Sequence, residues 1–378
     1  MYLTGIVHRD RLFEIATRWF AGRLEPGDGR FVTQVLIYEN LISAPVARAL
    51  LRDVSRQLGL GPVCVHRLRV KDELRQAIVA SSTTPSPRQR ELFTRYRQRP
   101  DDFFPGTPAD VSLFTGEQGE IRGMIRVKRI RRVADKASRR VATALTDALR
   151  DAGSDFAAAE QRLGLALEDG SLRFEPEQLR IDDLIGLKLV GSESQLERFQ
   201  RAIDSHPRVL RVQKEIHAGA YNDINLLVDI ELPPPGEIID CMRGHHWDFA
   251  TGRGLDTDVL ARDFVPYVES GARSVRAEVI LTTFDELVES EFGRSMHEER
   301  ILSQRNDATY TGRIARNASY LIEYLLRLAV SPTVEIDALP IRIGGRYLQE
   351  TFSGAIWRLY GLRHDMPIFD SFATEPFS

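Results

Sequence analysis

Residues 122–140 read RGMIRVKRIRRVADKASRR and hold nine cationic side chains but only one acid, Asp135. Charge of one sign at this density stays in water or against an anion, because an unpaired cation moved into an apolar interior costs several kcal/mol. The stretch starts with a strand-like pattern at 123–130 and continues with a helix-like one from Val133, which is the form of a loop that holds phosphates. The alternative is a solvated basic surface, since a basic run alone indicates only an anionic partner.

The composition is typical of a globular protein, with 43% hydrophobic and 28% charged residues over 378 positions, enough for two or three domains. The net charge of -3 shows that the basic stretch is offset elsewhere, which argues against general coating of nucleic acid. We expect no membrane segment and no signal peptide, because no apolar run approaches the ~20 residues that span a bilayer. Only two cysteines occur, Cys64 and Cys241, so we predict a cytoplasmic protein without a disulfide framework.

Hydrophobic periodicity predicts three regions: an N-terminal α/β unit at 1–105, a central domain at 118–300 and a C-terminal helical region at 301–378. In the first region, strands are predicted at 30–38 and 62–70 and helices at 10–23 and 46–58. The Pro- and Ser-rich segment 81–108 is predicted to be a linker or mobile flap. In the other two, the predicted strands are 179–190, 208–213, 223–231 and 274–282, and the predicted helices are 193–203, 284–300, 312–330 and 349–360. Residues 236–271 are predicted to form an irregular insertion.

Two acids, Asp183 at the start of one predicted strand and Glu278 in the middle of another, form a candidate site for a divalent cation. Magnesium prefers one or two carboxylates, with phosphate oxygens completing its shell. A basic loop opposite these acids would permit phosphoryl transfer, which depends on positioning and charge neutralisation. The alternative is that either acid caps the backbone or pairs with a surface cation.

A second group of ligand-type residues lies in the predicted insertion: Cys241, His245, His246 and Asp248. Its spacing provides no second pair of the kind that zinc sites use, so we predict a polar loop there.

Three motifs follow one another between Arg126 and His297. They are Arg126, Lys128, Arg132 and Lys136; then Asp183, Gly186 and Lys188; then Glu278, Thr283, Glu291 and His297. In order and spacing they resemble the synthetase domain of the RelA/SpoT alarmone synthetase family. Arg132 stands where that family has serine, and Lys188 stands where it has arginine. The resemblance implies a mixed β-sheet of the nucleotidyltransferase type.

The resemblance also implies a set of roles. The basic residues Arg126, Lys128, Arg132 and Lys136 would bind the ATP phosphates, and Asp183 and Glu278 would bind Mg2+ and carry catalysis. Acceptor contacts would come from Lys188, His217, Tyr221 and Asn225, with the tyrosine stacked on the base. The family transfers the β,γ-pyrophosphate of ATP to the 3′-hydroxyl of GDP or GTP. We expect His297 to be a structural helix residue.

The acceptor side departs from the family pattern. Residues 216–221 read IHAGAY where the family has Pro-Lys-x-Asn-Gly-Tyr, and Thr282 replaces an arginine. Each lost charge-assisted contact is worth about 1.5 to 3 kcal/mol, so losing both would weaken a guanosine phosphate by roughly a hundredfold or more.

The sequence therefore predicts a Mg2+-dependent pyrophosphokinase that transfers pyrophosphate from ATP to a nucleotide 3′-hydroxyl through an altered acceptor site. One alternative is pyrophosphorylation of tRNA 3′ ends, as in toxin-like branches of the family. Another is a non-catalytic sensor that binds a nucleotide. The sequence leaves open the acceptor, the role of residues 1–105 and whether the chain forms a homo-oligomer.

Overall fold

A mixed seven-stranded β-sheet forms the centre of the structure. The computed structural model describes residues 9–98, 108–127, 139–143, 156–173, 185–217, 222–293 and 312–361. The strands are β1 (Cys64–Val70), β2 (Pro108–Thr115), β3 (Ile121–Val127), β4 (Ile185–Val190), β5 (Val209–His217), β6 (Asp223–Glu231) and β7 (Ser274–Thr282). Their order is β1-β2-β3-β4-β7-β6-β5, and β4 and β7 run parallel whereas the other neighbours are antiparallel. The prediction of a mixed α/β sheet is confirmed.

Helices surround this sheet. They are α1 (Arg9–Phe20), α2 (Asp28–Gln57), α3 (Lys71–Ser81), α4 (Pro87–Gln98), α5 (Phe156–Asp169), α6 (Glu193–Asp204), α7 (Pro235–Met242), α8 (Thr257–Glu269), α9 (Phe284–Phe292), α10 (Arg313–Val330) and α11 (Gln349–Leu359). A 3-10 helix covers Asp248–Arg253, and a hairpin joins β8 (Arg342–Ile343) to β9 (Arg346–Tyr347). Of the helices described, none is long and apolar enough to cross a bilayer.

One side of the sheet, the apolar face, is defined by Leu187, Leu189, Leu226, Val228, Val279 and Leu281. Helix α6 and the second half of α2 pack on it through Phe199, Ile203, Leu50 and Leu51. At Gly123 an added Cβ would lie 2.6 Å from the backbone oxygen of Lys188 and 3.1 Å from Cδ1 of Leu51. Only glycine therefore allows α2 and β4 to approach β3 this closely.

The opposite side, the polar face, is defined by Lys188, Asn225, Asp229, Arg276 and Glu278, which alternate with residues of the apolar face. Helices α3, α4 and α9 cover this side over β2, β3 and the end of β4. Their contacts form a separate apolar cluster of Leu74, Ile78, Leu92, Phe93, Leu287, Val288 and Phe292 with Val111, Leu113, Met124 and Val190.

The first half of α2 belongs to a third cluster that lies away from the sheet. It contains residues of α1, α5, α8, α10 and α11, among them Trp19, Tyr38, Phe264, Leu325 and Phe352. The Tyr267 hydroxyl donates to Oε2 of Glu39 at 3.1 Å, linking α8 to α2 inside the protein. Burial, together with the nearby carboxylate of Glu39, raises the pKa of Tyr267 well above its usual value.

Three predictions of local structure were wrong. Residues 30–38 lie in α2 and not in a strand, because packing of Val32, Val35 and Leu36 outweighs the β propensity of that stretch. Segment 81–108 contains α4, whose Leu92 and Phe93 are buried. The predicted irregular insertion at 236–271 contains α7, the 3-10 helix and α8.

The strands predicted at 223–231 and 274–282 are confirmed with the same bounds. The helices predicted at 193–203, 312–330 and 349–360 are confirmed within one residue. The division into three regions stays a prediction, although β1, from the first of them, pairs with β2 in the central sheet.

Replacing Leu51 by alanine should reduce the free energy of unfolding by about 3 kcal/mol, because its side chain is fully buried between α2 and the sheet. The matched control is Arg52→Ala at the neighbouring exposed position, which should change stability by less than about 0.5 kcal/mol. Urea unfolding followed by circular dichroism measures both. Equal effects of the two substitutions would contradict the packing of α2 on the apolar face.

Candidate functional site

The sheet brings backbone positions from all three sequence motifs into one row. Arg126 of β3 pairs with Gly186 of β4, and Gly186 pairs with Glu278 of β7. Glu278 lies on β7, and β4 is the parallel neighbour of β7; Asp183 lies outside the described residues, two positions before β4 in the sequence. Arg126, the first residue of the basic motif, therefore lies in the same row across the sheet as Glu278.

Glu278 lies in the middle of β7 and is only 7% exposed. Asn225 of β6 donates from Nδ2 to its Oε1 at 2.8 Å. An amide donor fixes the orientation of this carboxylate. Such an oxygen can ligate a hard cation or accept a proton from a hydroxyl.

Lys188, which the resemblance assigns to the acceptor, is 5% exposed. Its Nζ donates to Oγ of Ser290 on α9 at 3.3 Å. This contact directs the ammonium group under α9. The residue therefore joins β4 to the helix that covers this part of the polar face.

Thr282, at the position of the family's arginine, is fully buried. Its hydroxyl contacts the backbone oxygen of Thr283 at 3.4 Å. Thr283 in turn caps α9, because its Oγ1 accepts from the backbone NH of Glu286. The pair ends β7 and starts α9, so both residues have local structural roles.

Glu291 on α9 is 4% exposed and faces α3. Its Oε2 lies 3.9 Å from Nζ of Lys71, and its backbone oxygen accepts from Nε of Arg75 at 3.1 Å. The Arg75 guanidinium, 3% exposed, also lies within 6 Å of the rings of Tyr96 and Phe292. These contacts fix α9, and with it Ser290, against α3.

Asp229 and Arg276 form a two-pronged ion pair further along the polar face. Nε and Nη2 of the arginine each lie 2.7 Å from a different carboxylate oxygen. Both side chains are mostly buried, and this geometry is the strongest that an arginine can make with a carboxylate. The pair therefore holds β6 and β7 together.

Several predicted site residues lie outside the described residues: Lys128, Arg132, Lys136, Asp183, Tyr221 and His297. For Arg126 and His217 only the backbone is described. Of the predicted acceptor contacts, the side chains of Lys188 and Asn225 are described, and Asn225 contacts Glu278 directly.

Among the residues that the structure describes, no group of three or more His, Cys, Asp or Glu side chains is arranged to hold a metal ion. Cys241, His245, His246 and Asp248 are exposed, and the ring of His245 packs edge-on against Trp247. Two of the four residues lie in regular structure, at α7 and the 3-10 helix, so the predicted polar loop is only partly a loop.

A cavity of about 560 Å³ lies at the carboxyl ends of β4 and β7. Ile121, Val190 and Phe199 contribute apolar walls, and Glu193 and Asp285 stand in the first turns of α6 and α9. After β4 the chain continues into α6 on the apolar face, and after β7 it continues into α9 on the polar face. Because the two connections diverge to opposite sides of the sheet, a crevice opens between the ends of β4 and β7. The lining contains none of the residues predicted to bind substrate or metal, although Thr283 of the third motif belongs to it.

Glu120 and Arg122 form an ion pair at the edge of this cavity, with Nε of the arginine 2.8 Å from Oε1. Burial opposes ionisation of Glu120. Hydrogen bonds from its own backbone and from Arg122 outweigh that effect and lower the pKa of the carboxyl group.

No model of a known protein family matches this chain, and no curated protein and no solved structure matches it either.

Changing Glu291 to glutamine should lower the free energy of unfolding by about 3 kcal/mol, because Lys71, whose ammonium group lies 3.9 Å from this buried carboxylate, then loses its counter-charge. Glu289→Gln is the matched control two residues earlier on the same helix. Its ion pair with Arg88 is more exposed and should be worth less than about 1 kcal/mol. Denaturant unfolding compares the two. If Glu291→Gln destabilised the protein less than Glu289→Gln, the contact between Glu291 and Lys71 would not be what holds α9 in place.

Proposed function

We propose that the chain is a Mg2+-dependent pyrophosphokinase with a nucleotidyltransferase-like sheet that transfers pyrophosphate from ATP to a hydroxyl group. The observation that carries the proposal is the backbone row Arg126, Gly186 and Glu278. The three motifs of the resemblance lie far apart in sequence, yet these positions pair on adjacent strands. A chance likeness of sequence would not require that register.

In this proposal Glu278 is the central catalytic residue. Its carboxylate is buried, is oriented by Asn225 and lies on the side of the sheet opposite the packed apolar face. A carboxylate held in this way acts on an acceptor hydroxyl with little reorganisation during the reaction. Asp183, three residues before Gly186 in the sequence, is proposed as the second acid.

The described donor atoms fit a hard cation, because Glu278 offers a carboxylate oxygen and Asn225 already fixes its orientation. Glu278 and Asp183 would hold Mg2+, and the ion would neutralise negative charge on the ATP phosphates. The basic residues Arg126, Lys128, Arg132 and Lys136 would hold the ATP phosphates for the same electrostatic reason.

The proposed transfer forms one O–P bond and breaks another. The acceptor hydroxyl oxygen attacks the β-phosphorus of ATP and forms a new O–P bond, while the bond from that phosphorus to the α,β-bridging oxygen breaks. AMP leaves, and the pyrophosphoryl group stays on the acceptor. Glu278 takes the hydroxyl proton and releases it to solvent.

Glu278→Gln should reduce the transfer rate at least about a thousandfold, since the amide keeps the shape of the side chain and the contact with Asn225 but cannot accept the proton. Asp183→Asn should show a similar loss together with a higher Mg2+ requirement. The measurement is transfer of label from γ-labelled ATP to a panel of acceptors, including GDP, guanosine and bulk tRNA, with AMP release as a second readout.

Glu197→Gln, an exposed residue on α6, serves as the control and should retain the wild-type rate. Circular dichroism checks that each variant is folded. Full activity of Glu278→Gln would refute the assignment of the catalytic acid. Tight ATP binding in calorimetry without transfer to any acceptor would instead favour a nucleotide sensor, and labelling of tRNA alone would identify the 3′ end of tRNA as the acceptor.

A further inference from the structure

The cavity at the carboxyl ends of β4 and β7 has no part in the proposed transfer, yet it has the form of a ligand site. Open α/β sheets bind ligands in the crevice beyond two parallel strands whose connections diverge. The volume of about 560 Å³ suits a small organic molecule. Its walls come from the β2–β3 hairpin, from α6 on the apolar face and from α9 on the polar face. A bound molecule would therefore contact elements on both sides of the sheet.

Apolar side chains form one wall of this cavity. Val190 at the end of β4, Ile121 on β3 and Phe199 on α6 are all buried. An added Cβ at Gly191 would lie 2.6 Å from the ring of Phe199, so glycine at this position lets the ring reach the end of β4. Phe284, at the start of α9, also lines the cavity and is partly buried. This wall could hold the apolar body of a ligand.

Most polar side chains of the lining are already used by the fold. Arg122 is held by Glu120, and the hydroxyl of Thr283 accepts a hydrogen bond from the backbone of α9. Hydrogen bonds within the protein also engage three uncharged side chains of the lining: Ser81, Ser192 and Gln195. These groups shape the cavity, and their main contacts are with the protein itself.

Two carboxylates of the lining differ from these groups. Within the described part of the chain, Glu193 makes no hydrogen bond or ion pair, and it is exposed. Asp285 accepts from Nε2 of Gln89 at 2.6 Å through Oδ1, which leaves its Oδ2 for a ligand. An ionised carboxylate only accepts hydrogen bonds, so the group that it selects is a donor. A charged donor binds it more strongly than a neutral one does.

We propose that this cavity binds a small organic cation, whose apolar body packs on Phe199 and whose ammonium group is held by Glu193 and Asp285. The charge of the lining agrees with this class, because three carboxylates, Glu120 included, face one cation, Arg122, among the described lining residues. An anion of the same shape would be repelled by the two open carboxylates. The proposed catalytic acid does not belong to the described lining, so this site can be tested independently of the transfer reaction.

Three probes that share a phenyl body but differ in charge test the proposal: phenethylamine, phenethyl alcohol and phenylpropionate. Ligand-observed NMR with the full-length protein at neutral pH measures the dissociation constant of each. Phenethylamine should bind at least about tenfold more tightly than phenylpropionate, with the alcohol between them. Equal or tighter binding of the alcohol or the carboxylate, or no saturable binding of the amine, would overturn the proposal.

Substitutions at the two open carboxylates test whether the amine binds in this cavity. Asp285→Asn removes the charge but keeps an oxygen that can accept from Gln89, and Glu193→Gln removes the charge at the start of α6. Each should weaken phenethylamine about fivefold and leave phenethyl alcohol unchanged.

The matched control is Glu197→Gln, which makes the same charge change at an exposed position of α6 outside the described lining. It should bind phenethylamine as the wild type does. Circular dichroism checks that each variant is folded, and either cavity variant suffices if the other does not fold. Wild-type affinity in the folded cavity variants, or an equal loss in Glu197→Gln, would show that the cation binds elsewhere.

Discussion

Helix α2 imposes the main packing constraint on this fold, because one helix of 30 residues belongs to two apolar clusters. Its first half packs with α1, α8 and α10, and its second half packs on the sheet. Pro45 stands where the helix passes from one cluster to the other, and its exposed ring costs one backbone hydrogen bond at that point. Any rotation of α2 would therefore disturb both clusters together, which couples the sheet to helices distant from it.

The same helix determines how closely the central strands can approach. The contact of Leu51 with Gly123 brings β3 beneath α2, and Gly123 also lies against the backbone of Lys188. The opposite side of Lys188 is held by Ser290, and the neighbouring Glu291 connects to Lys71 and Arg75. The middle of β4 is thus fixed from both faces of the sheet, so the strand next to Glu278 has little freedom to move.

Regular patterns were readable from the sequence where a single local rule applied. The strands β6 and β7 alternate over part of their length, and α10 has a clear apolar stripe, so their bounds could be predicted. The stretch 30–38 could not, because its β-branched residues also fit one face of a helix and only packing in the cluster with α1, α8 and α10 decides between the two. Helix α4 was missed because its arginines obscure a short apolar side formed by Leu92, Phe93 and the partly buried Tyr96.

The candidate site was predictable only where a local sequence pattern indicated it. The motifs pointed to Arg126, Gly186 and Glu278, whose backbones pair in the sheet, but they could not show which polar residues are used by the fold itself. Lys188 and Thr282 have the right positions for ligand contacts, yet their environments are those of a buried contact and a strand end. Likewise, the pairing of Glu291 with Lys71 depends on α3, which lies about 220 residues away in the chain, and no local pattern could reveal it.

The charged residues on β4 to β7 affect how a metal ion could bind beside Glu278. Asp229 neutralises Arg276, and Lys188 donates to Ser290, while the buried carboxylate of Glu278 accepts a hydrogen bond from Asn225. Buried carboxylates of like charge are costly unless cations or hydrogen bonds compensate them. A divalent metal beside Glu278 would add to that compensation when it binds, so metal binding and order in the polar face would be thermodynamically linked.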